Sequence, residues 1–137
     1  MFAQFLFARF GIQLPDGLIF IERKKHVYVA KKELGGISYP RLNRAGMIAG
    51  KKESIFGPKP SLDFVLTFGH LAIKNTIPLS DDEIRKFYQN EKINMDKEGL
   101  IIVQNAQGKG AALGHGKDGW LTPLIPKQRL VKLYKDA

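Results

Sequence analysis

GLIIVQNAQGKGAALGHGKDGWLTPLIP, residues 99–126, decides how the chain folds. Within it GHGKDG, residues 114–119, spells glycine-any-glycine-any-any-glycine, the form of a dinucleotide-binding loop. Such a loop must follow a strand and open a helix, whose N-terminal amides hold the pyrophosphate. Here WLTPLIP follows, which would put Pro123 and Pro126 inside the helix. Each would cost about 3 kcal/mol there and remove a hydrogen bond. A phosphate loop of the GxxxxGK[ST] type fails as well, because Ala111, Asp118 and Val103 stand where it needs glycine, hydroxyl and glycine. The stretch is instead predicted all-β: a buried strand over 99–105, a turn at AQGKG, a small-residue strand over AALGHG, and a third strand from Trp120 to Ile125. The glycines then serve tight turns and bends of a small barrel.

Upstream, SDDEIRKFYQN (80–90) carries the clearest local signal. Ser80 with Glu83 three residues on is a capping box, and Asp81, Asp82 and Glu83 meet the positive end of a helix dipole. Ile84 and Phe87 form its apolar stripe. SLDFVLTFGHLA (61–72) predicts a second helix, with Ser61 as N-cap, Leu62, Val65, Leu66 and Phe68 buried, and Gly69 near its end. RAGMIAGKK (44–52) is a small-residue strand running into a basic turn, and FGPKP breaks the chain after it.

At the N-terminus, Phe2, Phe5, Leu6 and Phe10 recur at three-to-four spacing, which predicts an amphipathic helix docked on the core. The run is too short to cross a bilayer and has no cleavage-site pattern. GIQLPDG is a turn built on Pro15 and Asp16-Gly17. LIFIER (18–23) and HVYVAKK (26–32) then read as a β-hairpin with Ile19, Ile21, Val27 and Val29 in the core. ELGGISYP ends this unit, giving a division into a helix-hairpin unit over 1–38 and a second domain over 39–137. QRLVKLYK near the C-terminus is read as a last strand, with a helix as the alternative.

The chain has 137 residues and a formal net charge of +9, unevenly spread. Residues 1–60 hold 11 Lys and Arg against 4 Asp and Glu, residues 61–98 hold 5 against 7, and residues 99–137 hold 6 against 2. Two basic stretches flanking an acidic middle can fold into one basic face, whose leading partner is nucleic acid. The alternative is a lysine-rich solvated surface. There is no cysteine, which excludes disulfides, thiolate metal sites and a cysteine nucleophile, and fits a cytoplasmic setting.

Catalytic and metal motifs are not found. His26, His70 and His115 lack metal-ligand spacing, the serines lack a glycine elbow, and the acids at 81–83 are explained by capping. No cofactor is expected, and the chain is not expected to be an enzyme. What remains is binding chemistry. Arg41, Arg44, Lys51, Lys52 and Lys59 come from turns of the first basic block, and Lys109, Lys117, Lys127 and Arg129 from turns and ends of the last. Tyr39, His115 and Trp120 lie among them, positioned to stack on unpaired bases or else to pack in the core. Lys51, Lys52, Lys109 and Lys117 are expected on one face.

In their order ARFGI (8–12), LIFIERKKHVYVA, RLNRAGMIAGKK, FGPKPSLDFVLTFGHLA, SDDEIRKFYQNEKI and GLIIVQNAQGKGAALGHGKDGWLTPLIPK resemble the C-terminal RNA-binding region of Sun-type RNA 5-methylcytosine methyltransferases, archaeal ones above all. The resemblance covers most of the chain through spacing and apolar pattern. It implies an α+β fold in which the helix-hairpin unit precedes a PUA-like, partly open β-barrel. It departs in the terminal hairpin, which lacks the Trp-Gly-Lys stretch before the closing turn. The catalytic domain and nucleophilic cysteine of those enzymes have no counterpart, which implies that this chain does not methylate by itself.

The function implied is non-catalytic recognition of structured RNA, tRNA or rRNA, in RNA modification or ribosome biogenesis, with an RNA methyltransferase as partner. Two alternatives stay open. One is a protein-interaction adaptor for an RNA-modifying enzyme, using an apolar patch along Phe2, Phe5 and Phe10. The other is a ribosome-biogenesis factor with a unit preceding its PUA domain. No membrane partner is expected.

Overall fold

The computed structural model describes residues 2–34 and 46–126. The boundary expected at 38/39, the terminal strand expected over 128–135, and Tyr39, Arg41, Arg44, Lys127 and Arg129 lie outside the described residues. The fold is α+β, with helices set against curled, half-barrel sheet.

Helix α1 (Phe2–Phe10) buries Phe2, Leu6 and Phe10, the spacing that predicted it. Strands β1 (Leu18–Glu22) and β2 (His26–Lys31) form the expected hairpin. Ile21, Val27 and Val29 are buried and Ile19 is half-buried. Strand β3 (Met47–Lys51) pairs antiparallel with β2, and the short β4 (Lys59–Pro60) pairs with β3, giving a four-stranded sheet in the order β1-β2-β3-β4.

Helix α2 (Leu62–Phe68) starts at Ser61, whose hydroxyl accepts from the Phe64 amide at 3.0 Å and donates to the Ile48 carbonyl at 2.7 Å. One side chain thus caps the helix and ties it to β3. Its buried face differs from the expected one: Phe64 is buried and Leu66 is 42% exposed. A seven-residue helix entering from β4 is turned by the Ser61 bond to β3 so that Phe64, not Leu66, meets the rings of Phe20 and Phe68. The helix ends at Gly69, as its sequence suggested, and tightens into a 3-10 turn over Gly69–Leu71.

The second sheet has five strands in the order β5-β7-β8-β9-β6. These are β5 (Thr76–Pro78), β6 (Ile93–Asn94), β7 (Gly99–Gln104), β8 (Gly110–Lys117) and β9 (Trp120–Pro123). All its pairings are antiparallel except β5 with β7. Helix α3 (Asp81–Tyr88) has the full capping box: Glu83 N–H donates to Ser80 Oγ, and Ser80 N–H donates to the Glu83 carboxylate. Phe87 is buried and Ile84 half-buried.

The middle of β7, Leu100 to Val103, is wholly apolar because both its faces are covered. Leu100 and Ile102 join Leu113 in one core with Phe2, Leu6, Phe10, Val27 and Phe64. Ile101 and Val103 point the other way, into a second core with Phe87, Ala112 and Leu121. Tyr88 of α3 donates from its hydroxyl to the Ala111 carbonyl at 2.6 Å, fixing the helix on β8.

The GHGKDG stretch ends β8 and turns into β9. Asp118 and Gly119 both have positive φ, 55° and 83°, the signature of a two-residue I′ hairpin turn. The other two glycines serve close approach. A Cβ at Gly114 would lie 2.9 Å from Phe87 Cζ, and one at Gly116 would lie 2.1 Å from the Lys97 carbonyl oxygen. No helix among the described residues is long and apolar enough to cross a membrane.

Candidate nucleic-acid interface

The β1–β2 hairpin turns through Arg23, Lys24, Lys25 and His26, with the Arg23 amide donating to the His26 carbonyl at 2.9 Å. Because β3 runs antiparallel to β2, its end returns to this turn. His26 stands opposite Lys51, and the Lys52 amide donates to the Lys25 carbonyl at 3.1 Å. Lys51 in turn stands opposite Lys59 on β4. Three chain segments that are separate in sequence therefore deliver six Lys and Arg to one end of the sheet, against Glu22 and Glu53. Glu22 contacts Lys52 at 3.7 Å. An open cleft of about 520 Å³ lies here, lined among the described residues by Lys24, Lys25, His26, Lys51, Lys52 and Glu53.

Charges gathered this closely raise one another's cost. Lys59 shows it: burial, and then the neighbouring charge of Lys51, lower its pKa from the ordinary lysine value. Its ammonium also lies 6.0 Å from the centre of the Phe56 ring, at the outer limit of a cation–π contact.

Phe56 carries the surface onward to the second sheet. Its ring lies 4.5 Å from that of His115, tilted by 40°. His115 stands opposite Thr122 and Lys117 opposite Trp120. Side chains alternate along a strand, so Leu113, His115 and Lys117 share one face of β8. Trp120 and Thr122 share that face through their pairing. Leu113 is in the core, His115 half-covers its edge, and Lys117 and Trp120 emerge beyond it. Trp120 is 44% exposed, so core packing is not its role.

Lys109 goes elsewhere. It closes the turn after β7, where Asn105 Oδ1 accepts from the Lys109 amide at 3.0 Å, and it lines a small cleft with Leu66, Thr67 and His70. Lys117 lies eight positions further on, at the far end of β8, roughly 26 Å along the strand. The structure brings together Lys51, Lys52 and Lys59, and it sets His115 and Lys117 on one strand face reached through Phe56; Lys109 stands at the opposite end of β8.

Two contributors escaped the sequence reading. Arg23, Lys24, Lys25 and His26 read only as the charged link of a hairpin, and their density of charge at a turn was the available signal. Phe56 sat in a stretch read as a chain break. Among the described residues no group of three or more His, Asp or Glu is arranged to hold a metal ion. The apolar patch expected along Phe2, Phe5 and Phe10 is not a surface, because Phe2 and Phe10 are buried and Phe5 packs against that core. The exposed ring of α1 is Phe7, at 52%.

Compared with models of known protein families and with curated proteins, the chain gives no match.

Proposed function

We propose that this chain is a non-catalytic RNA-binding protein that recognises structured RNA, tRNA or rRNA, in RNA modification or ribosome biogenesis. Its curled sheets are read as a PUA-like barrel, and an RNA methyltransferase as the partner it assists. The observation that carries the reading is the convergence of Arg23, Lys24, Lys25, Lys51, Lys52 and Lys59 at one sheet end, continued through Phe56 and His115 to Lys117 and Trp120. Lysines at turns suit phosphates, and half-exposed rings suit bases that are not paired. Six phosphate contacts would make affinity fall roughly thousandfold between about 50 and 200 mM salt.

Electrophoretic shifts with tRNA and rRNA fragments across that salt range test it. A steep salt dependence is expected, and no shift at low salt with any structured RNA overturns it. An adaptor role has one observation in its favour, the open groove between α1 and β1 lined by Phe7, Leu14, Leu18 and Phe20. That reading predicts co-purification of an RNA-modifying enzyme that survives removal of RNA.

A further inference from the structure

We propose that the turn end of the β8–β9 hairpin reads an unpaired nucleotide: Trp120 stacks on its base, Lys117 holds its phosphate, and Asn94 meets the edge of the base. This rests on the RNA-binding reading and narrows it to a class of RNA site.

Trp120 has a direct partner on each side, Lys117 on β8 and Asn94 on β6. Residues directly opposite in antiparallel strands project from the same face, and neighbouring strands lie about 4.8 Å apart. The three side chains therefore form one row across three strands, with the indole in the middle. All three are exposed, Trp120 at 44%. The backbone beneath them is held firmly. Leu121 is fully buried in the second core, the Asp118-Gly119 turn fixes the hairpin, and the Met95 amide donates to the Gly119 carbonyl at 2.8 Å. A rigid support with an exposed indole is pre-organised for stacking rather than awaiting burial.

The three chemistries ask for the same ligand. An indole needs an open base face, and inside a duplex the neighbouring pairs occupy both faces. An ammonium offers three donors and no acceptor, which suits a phosphate. A carboxamide offers both donor and acceptor, which suits a base edge left free by the lack of a pairing partner. A loop, bulge or single-stranded end supplies all three at once; continuous duplex supplies phosphate and groove edges but neither an open base face nor a free pairing edge.

Trp120 is the single tryptophan of the chain, so its fluorescence reports on this row alone. The full chain is titrated with oligoadenylate, with oligouridylate and with a long RNA duplex, following both electrophoretic shift and fluorescence. All three RNAs are expected to shift, and only the single strands to quench. Trp120→Ala is expected to weaken single-strand binding about tenfold and duplex binding less than about twofold, with Trp120→Phe restoring most of the loss. Asn94→Ala is expected to narrow the difference between the two homopolymers while leaving duplex binding intact. Shifts without quenching, or equal losses on duplex and single strand, overturn this inference and leave the RNA-binding reading standing. No shift with any of the three at low salt overturns that reading itself.

Discussion

The guanidinium of Arg9, in the last turn of α1, reaches 91 residues along the chain to Leu100, donating to its carbonyl from Nε at 3.1 Å and from Nη2 at 2.9 Å. Nη2 also donates to the Glu98 carbonyl at 2.5 Å. Arg9 thereby fixes the N-terminal helix on the start of β7, while Asn75 Nδ2, in the bend just before β5, donates to the Arg9 carbonyl at 2.6 Å. Burial lowers the Arg9 pKa, but guanidinium stays charged and gives these bonds their strength. Between Glu98 and Leu100 sits Gly99, with φ +77°, where a Cβ would stand 2.7 Å from Arg9 Nη2.

Arg9→Met keeps the apolar stem and removes every donor. A loss of about 2 kcal/mol is expected in urea unfolding, the size of hydrogen bonds to a charged group. Gly99→Ala is expected to lose about 1–2 kcal/mol for its left-handed backbone, plus a smaller amount for crowding Arg9. Since Met lacks the guanidinium, the crowding disappears in the double variant. The two losses should therefore add to less than their sum, and strict additivity would show that Arg9 and Gly99 do not meet.

A second close approach joins α2 to β8. A Cβ at Gly110 would stand 1.9 Å from the Val65 carbonyl oxygen and 2.8 Å from the Gly69 Cα, both backbone atoms that cannot swing aside. Gly110→Ala is expected to cost about 3 kcal/mol by separating helix from strand. Gly108, two residues earlier, has φ +79° and nothing within 4 Å of a built Cβ. Gly108→Ala should therefore lose only the backbone term, about 1–2 kcal/mol. Thermal melts of the two variants check the order, and a larger loss at Gly108 would contradict it.

What the sequence made legible follows from the range of the forces involved. α1 and α3 were readable because periodicity and the Ser80–Glu83 box act within one or two turns of helix. The Asp118-Gly119 turn was readable because prolines behind GHGKDG forbid a helix. Leu66 was misjudged because a seven-residue helix shows too little periodicity to fix its face, which the Ser61 bond to β3 sets instead. Strand β5 left no local trace: Thr76 pairs with Ile102, and Pro78 with Gln104, far along the chain. The interface was half legible for the same reason. Lys51, Lys52 and Lys59 could be named as basic turn residues, but only β2–β3 pairing reveals that Lys24 and Lys25 join them.

Lys59 should make stability depend on pH. Its folded pKa lies below the unfolded value, since burial and Lys51 disfavour its charge. Below the folded pKa the residue is charged in both states, and the folded state bears the cost in full. As pH rises from there towards the unfolded value, the unfolded state binds more protons and stability rises. Lys59→Gln is accordingly expected to melt higher than the parent protein at neutral pH, with the difference shrinking towards pH ~10.4. Half-exposure to solvent keeps the effect small. A difference that grows with pH would reverse the sign of the coupling.

The hairpin turn gives the sharpest test of where RNA docks. Lys24 and Lys25 are exposed, and the structure gives the Lys25 backbone, not its ammonium, the bond that holds β3. Lys24→Glu with Lys25→Glu should therefore leave the melting temperature within a few degrees. If both lysines neutralise phosphates, the reversal lowers affinity for all structured RNAs alike, and the slope of log affinity against log salt falls by about 2. Lys109→Glu, at the far end of β8, changes the total charge with the same sign but at a remote place. It is expected to weaken binding far less, through long-range repulsion that about 0.15 M salt screens beyond roughly 8 Å. Equal losses per charge at both places would mean that net charge alone governs binding, and that the end of the four-stranded sheet is not the docking site.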